Sequence, residues 1–301
     1  VWVKVRRSDD LIWLVTLAAT NDWPLTLVGN GSNSLFADQG VRGIVAQMAD
    51  EQWRLEANAG ANDQGQPLTR LIAGAGVSLP QIGGELQKRG LSGLEWGAGV
   101  PGTIGGAVVS NAGAHQGCIG DTLESARILI APAQPGQAPT IQDFPADALG
   151  LGYRTSRFRA GRLIGFDDEE RPLIAPRALI EPAEIILSAT FLLSPDSPER
   201  IQQRIDEYKA HRKVTQPTQA SAGSVFKNPQ NEHAGSLIDR AKLKGTRIGN
   251  AEISQLHGNF IVTSRGARAA DVAGLIALAR RTVRERFGVE LELEVELRGD
   301  W

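Results

Sequence analysis

The spacing of apolar residues separates helices from strands over most of the chain. Leu11, Leu14, Leu17 and Ala18 recur at helical spacing and predict a helix over Ser8–Thr20, with Ser8 read as its N-cap. Residues 79–89 form a second predicted helix, stopped by Gly90. Residues 197–213 read as an amphipathic third, with Pro198 at its first position and Glu199 in its first turn. A short helix is predicted at 234–241. The clearest is Ala269–Phe287, where Val272, Leu275, Ile276, Ala279 and Val283 share one side and Gly288 follows. Strand-like runs fall at Leu25–Val28, 41–48, 71–76, 122–131, 184–193 and Phe260–Thr263. Residues 57–67 and 132–139 read as loops, and prolines break 172–182 into irregular chain. The run 289–297 alternates strictly: Leu291, Leu293, Val295 and Leu297 face one way, Glu290, Glu292, Glu294 and Glu296 the other. On pattern alone those glutamates are a solvated strand face.

One stretch fits neither period. Residues 91–121 read LSGLEWGAGVPGTIGGAVVSNAGAHQGCIGD, with eight glycines from Gly97 to Gly120. Glycine loses more backbone entropy on folding than any other residue, so such a cluster implies positive φ or close backbone approach. N–H groups left free in glycine turns cradle anions. The stretch suits a wall for a large planar ligand carrying phosphates, and equally a set of packed turns. A second glycine-polar loop, Gly-Asn-Gly-Ser-Asn-Ser at 29–34, ends the run Leu25–Val28. Its sixth position is Ser34 and no helical pattern follows, so a conventional Rossmann domain is not expected. Arg154, Arg157 and Arg159 suit a carboxylate or phosphate, and equally a solvated basic edge. Residues 215–231, TQPTQASAGSVFKNPQN, have the mixture of a binding loop.

Composition narrows the classes. At 301 residues the chain can bury two or three cores, and its formal charge of −2 gives no field for nucleic acid. No apolar run approaches a membrane span, and VWVKVRRSDD is not a signal peptide. Neither a nucleic-acid nor a membrane partner is expected, and no obligate protein partner is evident. The lone Cys118 excludes an internal disulfide, favours a cytoplasmic setting, and reads as buried filler rather than a reactive thiol. The four histidines (His115, His211, His233, His257) lack metal-ligand spacing, so no metal is expected.

Four segments together resemble the UDP-N-acetylenolpyruvoylglucosamine reductase family: LVGNGSNSLF (27–36), GLEWGAGVPGTIGGAVVSNAGAHQG (93–117), GYRTSRF (152–158) and SAGSVFKNP (221–229). HGNFIV (257–262) and ELELEVELRG (290–299) fit as well. The short segment between Asn228 and Leu237 is similar to the family's compact second type. The resemblance implies an α+β fold: an FAD-binding part of two subdomains, as in vanillyl-alcohol oxidase-like flavoproteins, and a C-terminal substrate domain. The expected bounds are 1–55 and 56–196 for the subdomains and 197–301 for the substrate domain, with 289–299 returning toward the flavin site. A family segment of the type NTFRIGG would precede VWVKVRR, so the N-terminus is expected to be truncated.

The resemblance also implies chemistry. NADPH gives hydride to FAD, and the reduced flavin reduces the enolpyruvyl ether of UDP-N-acetylglucosamine to UDP-N-acetylmuramate for peptidoglycan precursor synthesis. Arg154, Ser224 and Glu294 are the implied catalytic residues. For FAD the resemblance carries over Gly29, Gly31, Ser32 and Asn33, then Gly99, Pro101, Gly102, Gly105, Gly106, Asn111, Ala112 and Gly113, with glycine N–H groups meeting the pyrophosphate and flavin edge. Arg212 is a further flavin-side candidate. Lys227, Asn228 and Asn259 are the candidates for the UDP-sugar. Competing readings are another FAD-linked oxidase or dehydrogenase on the same fold, which would lack SAGSVFKNP, and a non-catalytic flavin or nucleotide-sugar binder. The connection 160–182 is longer than the family's usual one, and Lys242 stands where the family commonly has glycine.

Overall fold

The computed structural model describes residues 1–132, 137–159 and 163–301. Part of the expected loop 132–139 and part of the connection 160–182 lie outside the described residues. The chain divides into two compact units: Val1–Asn30, Gly43–Ala160 and Arg177–Ala210 form one; Gly31–Arg42, Gly161–Pro176 and His211–Trp301 form the other. This differs from three consecutive domains. Ser34–Phe36 and Asp38 bond to the C-terminal part of the chain, as does Glu170, so contact overrides sequence order.

Two larger sheets make up most of the first unit. One is parallel, in the order Trp2–Val5, Ile44–Met48, Leu25–Val28, Ile180–Glu181. Helix α1 (Ser8–Thr20) connects its first strand to Leu25–Val28 and buries Leu11, Leu14, Val15, Ala18 and Ala19. The N-cap is Arg7 rather than Ser8. The Ser8 hydroxyl donates to Asp50 Oδ2 at 3.2 Å, so it serves the neighbouring chain instead of its own helix. The other sheet is antiparallel, in the order Thr140–Pro145, Leu123–Ile130, Glu184–Pro195, Thr69–Gly74, Trp53–Glu56, with Leu91–Ser92 on the end of the long strand. Helices α2 (Leu79–Gln87) and α3 (Ile104–Ser110) belong to this half. Leu25, Leu71, Ile128, Phe191 and Ile104 lie in one continuous core shared by both sheets. The division between units falls inside α4 (Pro198–Thr215), whose buried residues are only Ile201 and Ile205, one turn apart. Its apolar stripe is narrower than expected.

The second unit is built on an antiparallel sheet, Ser221–Ser224, Phe260–Thr263, Ala251–Ile253, Arg247–Ile248. Helices α5 (Ala234–Arg240) and α6 (Ala269–Phe287) share its core, with Leu237, Ile238, Leu275, Ile276 and Val283 buried. Gly288 closes α6 with φ 68°, as its position in the sequence predicts. The part of 172–182 expected to be irregular instead holds Pro172–Ile174, paired with Leu163–Phe166, and Ile180–Glu181. Glu170, at the tip of that hairpin, is buried against Arg280 and Arg284 of α6.

The run 289–297 keeps its alternation but not its strand. Leu291, Leu293, Val295 and Leu297 are buried, yet only Glu296–Arg298 is extended β structure, parallel to Ser34–Phe36. The glutamates are not one solvated face. Glu292 is exposed and paired with Lys227; Glu294 and Glu296 are half-buried, and Glu296 pairs with Arg298. Among the described residues no helix is long and apolar enough to cross a membrane.

Candidate functional site

In the first unit the glycine stretch contains a helix that its composition hides. Thr103 caps α3, its hydroxyl accepting from Gly106 N at 3.4 Å. Ile104 N and Gly105 N donate to Val77 O and Ala75 O at 2.8 and 2.9 Å, which docks the helix start beyond the strand Thr69–Gly74. A Cβ at Gly105 would lie 2.8 Å from that of Ala75, so close packing requires glycine there. Gly99, Pro101 and Gly102 form the turn leading into Thr103, with Gly102 at φ 144°. A Cβ at Gly29 would sit 2.9 Å from Thr103 Oγ1, so the end of the strand Leu25–Val28 meets the cap of α3 as bare backbone.

Asn111 ends α3 in the left-handed conformation, φ 40°. Its side chain donates to Gly152 O at 2.9 Å and accepts from Gly120 N at 3.0 Å. Gly113–Ala114 then pairs with Gly117–Cys118 in a small hairpin. The N–H of Gly105, one of the glycines expected to meet a pyrophosphate or the flavin edge, donates to Ala75 O, and those of Asn111 and Ala112 donate to Val108 O and Ala107 O. Their physical task is to hold the wall's shape. Glu95, at the head of the stretch, is fixed likewise. Burial would raise its pKa, but the N–H of Gly93, the hydroxyl of Ser92 and the guanidinium of Arg204 outweigh this and hold it below the usual carboxylate range. Burial and the neighbouring Asp121 carboxylate push the Cys118 thiol up, and Sγ donates to Asp121 Oδ1 at 3.2 Å. That is the environment of a structural thiol.

The three arginines separate by partner. Arg157 Nε donates to Glu184 Oε2 at 3.0 Å, and its guanidinium covers the Phe144 ring at 4.4 Å. Arg159 Nη1 donates to Arg154 O at 2.6 Å. Arg154 sits in the tight turn Gly152–Thr155, whose ends exchange backbone bonds at 3.1 and 3.2 Å, with its own φ at 53°. That conformation costs an L-residue about 1–2 kcal/mol. Arg154 Nη2 donates to Gly113 O at 2.5 Å, tying the guanidinium to the glycine wall. Strained backbone beneath a charged side chain, braced from two directions, is a feature that collects at functional sites.

In the second unit four distant segments converge. Gly223, at φ 78°, precedes Ser224, which lies opposite Phe260. A Cβ at Gly223 would be 4.0 Å from Ser32 O, which brings the first glycine loop alongside. Val225 O accepts from Glu294 N at 2.8 Å and Val295 N at 3.2 Å. Asn33 Nδ2 donates to Glu294 O at 3.0 Å, and Asn33 O accepts from Glu296 N at 2.9 Å. Asn33, Val225 and Glu294 therefore share one bonded platform, with Ser32 and Ser224 next to it in the chain, which no local pattern in the sequence reveals. Phe226 pairs with Leu293 beneath it.

The candidates for the UDP-sugar carry structural bonds. Asn259, 4 % exposed, spends its side chain on the backbone of Phe226, accepting from N at 2.9 Å and donating to O at 2.7 Å. Asn228 Oδ1 accepts from Ala234 N at 3.1 Å, at the start of α5. Lys227 Nζ lies 3.1 Å from Glu292 Oε2. Arg212 is half-buried on α4, and burial lowers its pKa. One anchor escaped the sequence entirely: Asp38 accepts from Ala269 N and Ala270 N at 2.7 and 3.1 Å, capping α6 from 231 residues away. These N–H groups hold its carboxyl below the usual range.

The residues present fit FAD. Gly29 and the cap of α3 meet where any side chain would intrude, among small uncharged neighbours, as a planar cofactor with phosphates requires. Comparison with known proteins agrees. A family model described as FAD binding domain matches residues 1–133, and one described as UDP-N-acetylenolpyruvoylglucosamine reductase, C-terminal domain, matches residues 216–298. The UDP-N-acetylenolpyruvoylglucosamine reductase of Bacillus pumilus is 38 % identical over 276 residues, covering 91 % of this chain and 80 % of that protein. That of Chloroflexus aggregans is 37 % identical over 296 residues, covering 98 % and 90 %. The crystal structure of UDP-N-acetylenolpyruvylglucosamine reductase from Thermus caldophilus is similar with a TM-score of 0.70 at 34 % identity, covering 98 % of this chain and 90 % of that one.

Proposed function

The chain belongs to the UDP-N-acetylenolpyruvoylglucosamine reductase family, and from that premise we propose that it reduces the enolpyruvyl ether of UDP-N-acetylglucosamine to UDP-N-acetylmuramate in peptidoglycan precursor synthesis, with NADPH as electron source. FAD, when bound, would supply the two-electron chemistry that links NADPH to the enolpyruvyl group. In the first unit Gly29, the turn Gly99–Gly102 and the cap of α3 would hold it. A cytoplasmic setting is part of the same proposal.

The protein's own residues manage charge and a proton. Hydride addition to an enol ether conjugated with a carboxylate leaves an enolate, with charge building on the carboxyl oxygens. Arg154 is assigned to that carboxylate, where a preorganised guanidinium lowers the barrier. Ser224 delivers the proton to the neighbouring carbon. A hydroxyl is a weak acid, but an enolate is a strong base, and a donor within reach suffices. Glu294 is assigned to hydrogen-bond the same reacting group from the other arm of the platform.

The observation that carries this reading is the bond from Glu294 N to Val225 O, which sets the glutamate beside the residue following Ser224. A two-step stopped-flow assay tests it. NADPH should bleach the flavin absorbance, and the enolpyruvyl sugar nucleotide should restore it. Flavin that reoxidises with oxygen but not with that substrate would overturn the proposal.

A further inference from the structure

We infer that Asn33 is a positioning residue for Glu294, so that its side chain serves the acid rather than the flavin. The inference rests on the catalytic reading of Glu294 given above. Asn33 lies in the first glycine loop, among residues whose resemblance points to the cofactor. Its amide nitrogen nevertheless donates to Glu294 O at 3.0 Å, and its own carbonyl accepts from Glu296 N at 2.9 Å. Two bonds from one residue thus fix the chain on either side of Val295. On the opposite side Val225 O takes Glu294 N and Val295 N, at 2.8 and 3.2 Å.

The peptide of Glu294 is therefore held at its N–H by the residue after Ser224 and at its C=O by the cofactor loop. Regular strand here is confined to Glu296–Arg298, so the Asn33 bond is the brace on the carbonyl side of Glu294, as Val225 O is on its N–H side. The parallel pairing of Ser34–Phe36 with Glu296–Arg298 starts one residue beyond Asn33, and Asp38 anchors the same segment to α6. Asn33 is thus the end of a braced segment and the point at which that brace reaches the acid. Whatever orders residues 31–34 also orders Glu294, which makes the glycine loop part of the proton-handling apparatus.

The test compares Asn33→Asp with wild type in both half-reactions, alongside FAD dissociation followed by flavin fluorescence. Asn33→Asp keeps the shape, removes the donor and sets a carboxylate oxygen against the Glu294 carbonyl. Asn33→Ser, too short to reach, removes the bond without adding charge and serves should the first variant fold poorly. Reoxidation by the enolpyruvyl sugar nucleotide should slow about tenfold more than reduction by NADPH, with FAD dissociation changing less than either. Adding Asn33→Asp to Glu294→Gln should slow reoxidation no further than Glu294→Gln alone, because the two act as one unit. Equal loss in both half-reactions with weakened FAD would overturn the inference and make Asn33 a flavin ligand. Multiplicative losses in the double variant would overturn it too. If Glu294→Gln alone reoxidises at the wild-type rate, the assignment of Glu294 itself falls, an outcome distinct from either of these.

Discussion

The glycine wall of the first unit closes largely on itself, whereas the Ser224–Glu294 platform of the second draws on four segments spread from Ser32 to Arg298. In the wall, Thr103 caps its own helix, Asn111 holds Gly120, and Gly113 pairs with Cys118. In the platform, Asn33, Val225, Asn259 and Glu294 bond to partners far from them in sequence. A wall that presents backbone to a cofactor can be written in one stretch, because its shape is a matter of turns and small residues. The platform proposed to deliver a proton is drawn from remote segments, and long-range bonds assemble its backbone. Substitutions in the wall should therefore act through shape and cofactor retention, and those in the platform through chemistry or global stability.

The strongest test of this contrast is Ser224→Ala. Turnover of the sugar substrate should fall about 10²–10⁴-fold, the usual worth of a positioned proton donor, while flavin reduction by NADPH stays near wild type. Equal loss in both half-reactions, measured by stopped flow, would move Ser224 out of the chemistry. Next in size is Asn259→Ala, which strands the buried N–H and C=O of Phe226 and should cost about 2–4 kcal/mol in urea unfolding. A stable variant with only a raised KM for the UDP-sugar would show that Asn259 binds substrate instead. In the wall, Gly105→Val drives a side chain into Ala75 and should cost about 1–3 kcal/mol, with FAD released more readily on dilution. Unchanged flavin retention would separate the packing of α3 from the cofactor.

Two smaller effects probe the second unit away from the platform. Lys242 follows α5 with φ 61°, the conformation glycine adopts freely, which explains why glycine suits this position. Lys242→Gly should raise stability by up to about 1 kcal/mol, the relief of strain exceeding the added freedom of the unfolded chain. A lower melting temperature would count against that account. His257 is held below its ordinary 6.5, first by burial and then by Lys244. A histidine with a depressed folded pKa contributes stability that is complete above about pH 6.5 and declines as pH falls toward the folded value, because the unfolded chain takes up the proton first. His257→Gln should flatten the fall in melting temperature below that pH, and an unaltered slope would remove His257 as its cause.

Legibility in the sequence follows the same divide. Ala269–Phe287 could be read because its period, its cap and its burial all agree. Helix α3 could not, since Gly105 and Gly106 carry poor helix propensity, and what stabilises it is the contact with Ala75 and Val77. The alternation of 289–297 foretold which residues are buried but not where their N–H groups go, because Val225 and Asn33 are remote acceptors. Asn111, Asn228 and Asn259, expected from the resemblance as ligand contacts, each tie backbone groups as well; an amide that ties the backbone has the same sequence signature as one that ties a substrate. Motif resemblance located the candidate residues, but the work that each side chain does was visible only in three dimensions.

The capping of α6 by Asp38 has a consequence for synthesis. The segment 31–42 leaves the ribosome early, yet its helix partner lies 231 residues further along the chain. At about 5–20 residues per second, that interval lasts roughly 10–50 s. Throughout it Ser34–Phe36 is a strand edge without its partner. Expression of 211–301 alone would meet the same difficulty permanently: helix α6 would lack its Asp38 cap and Glu296–Arg298 its neighbour, so the unit is a product of the whole chain and not a detachable module.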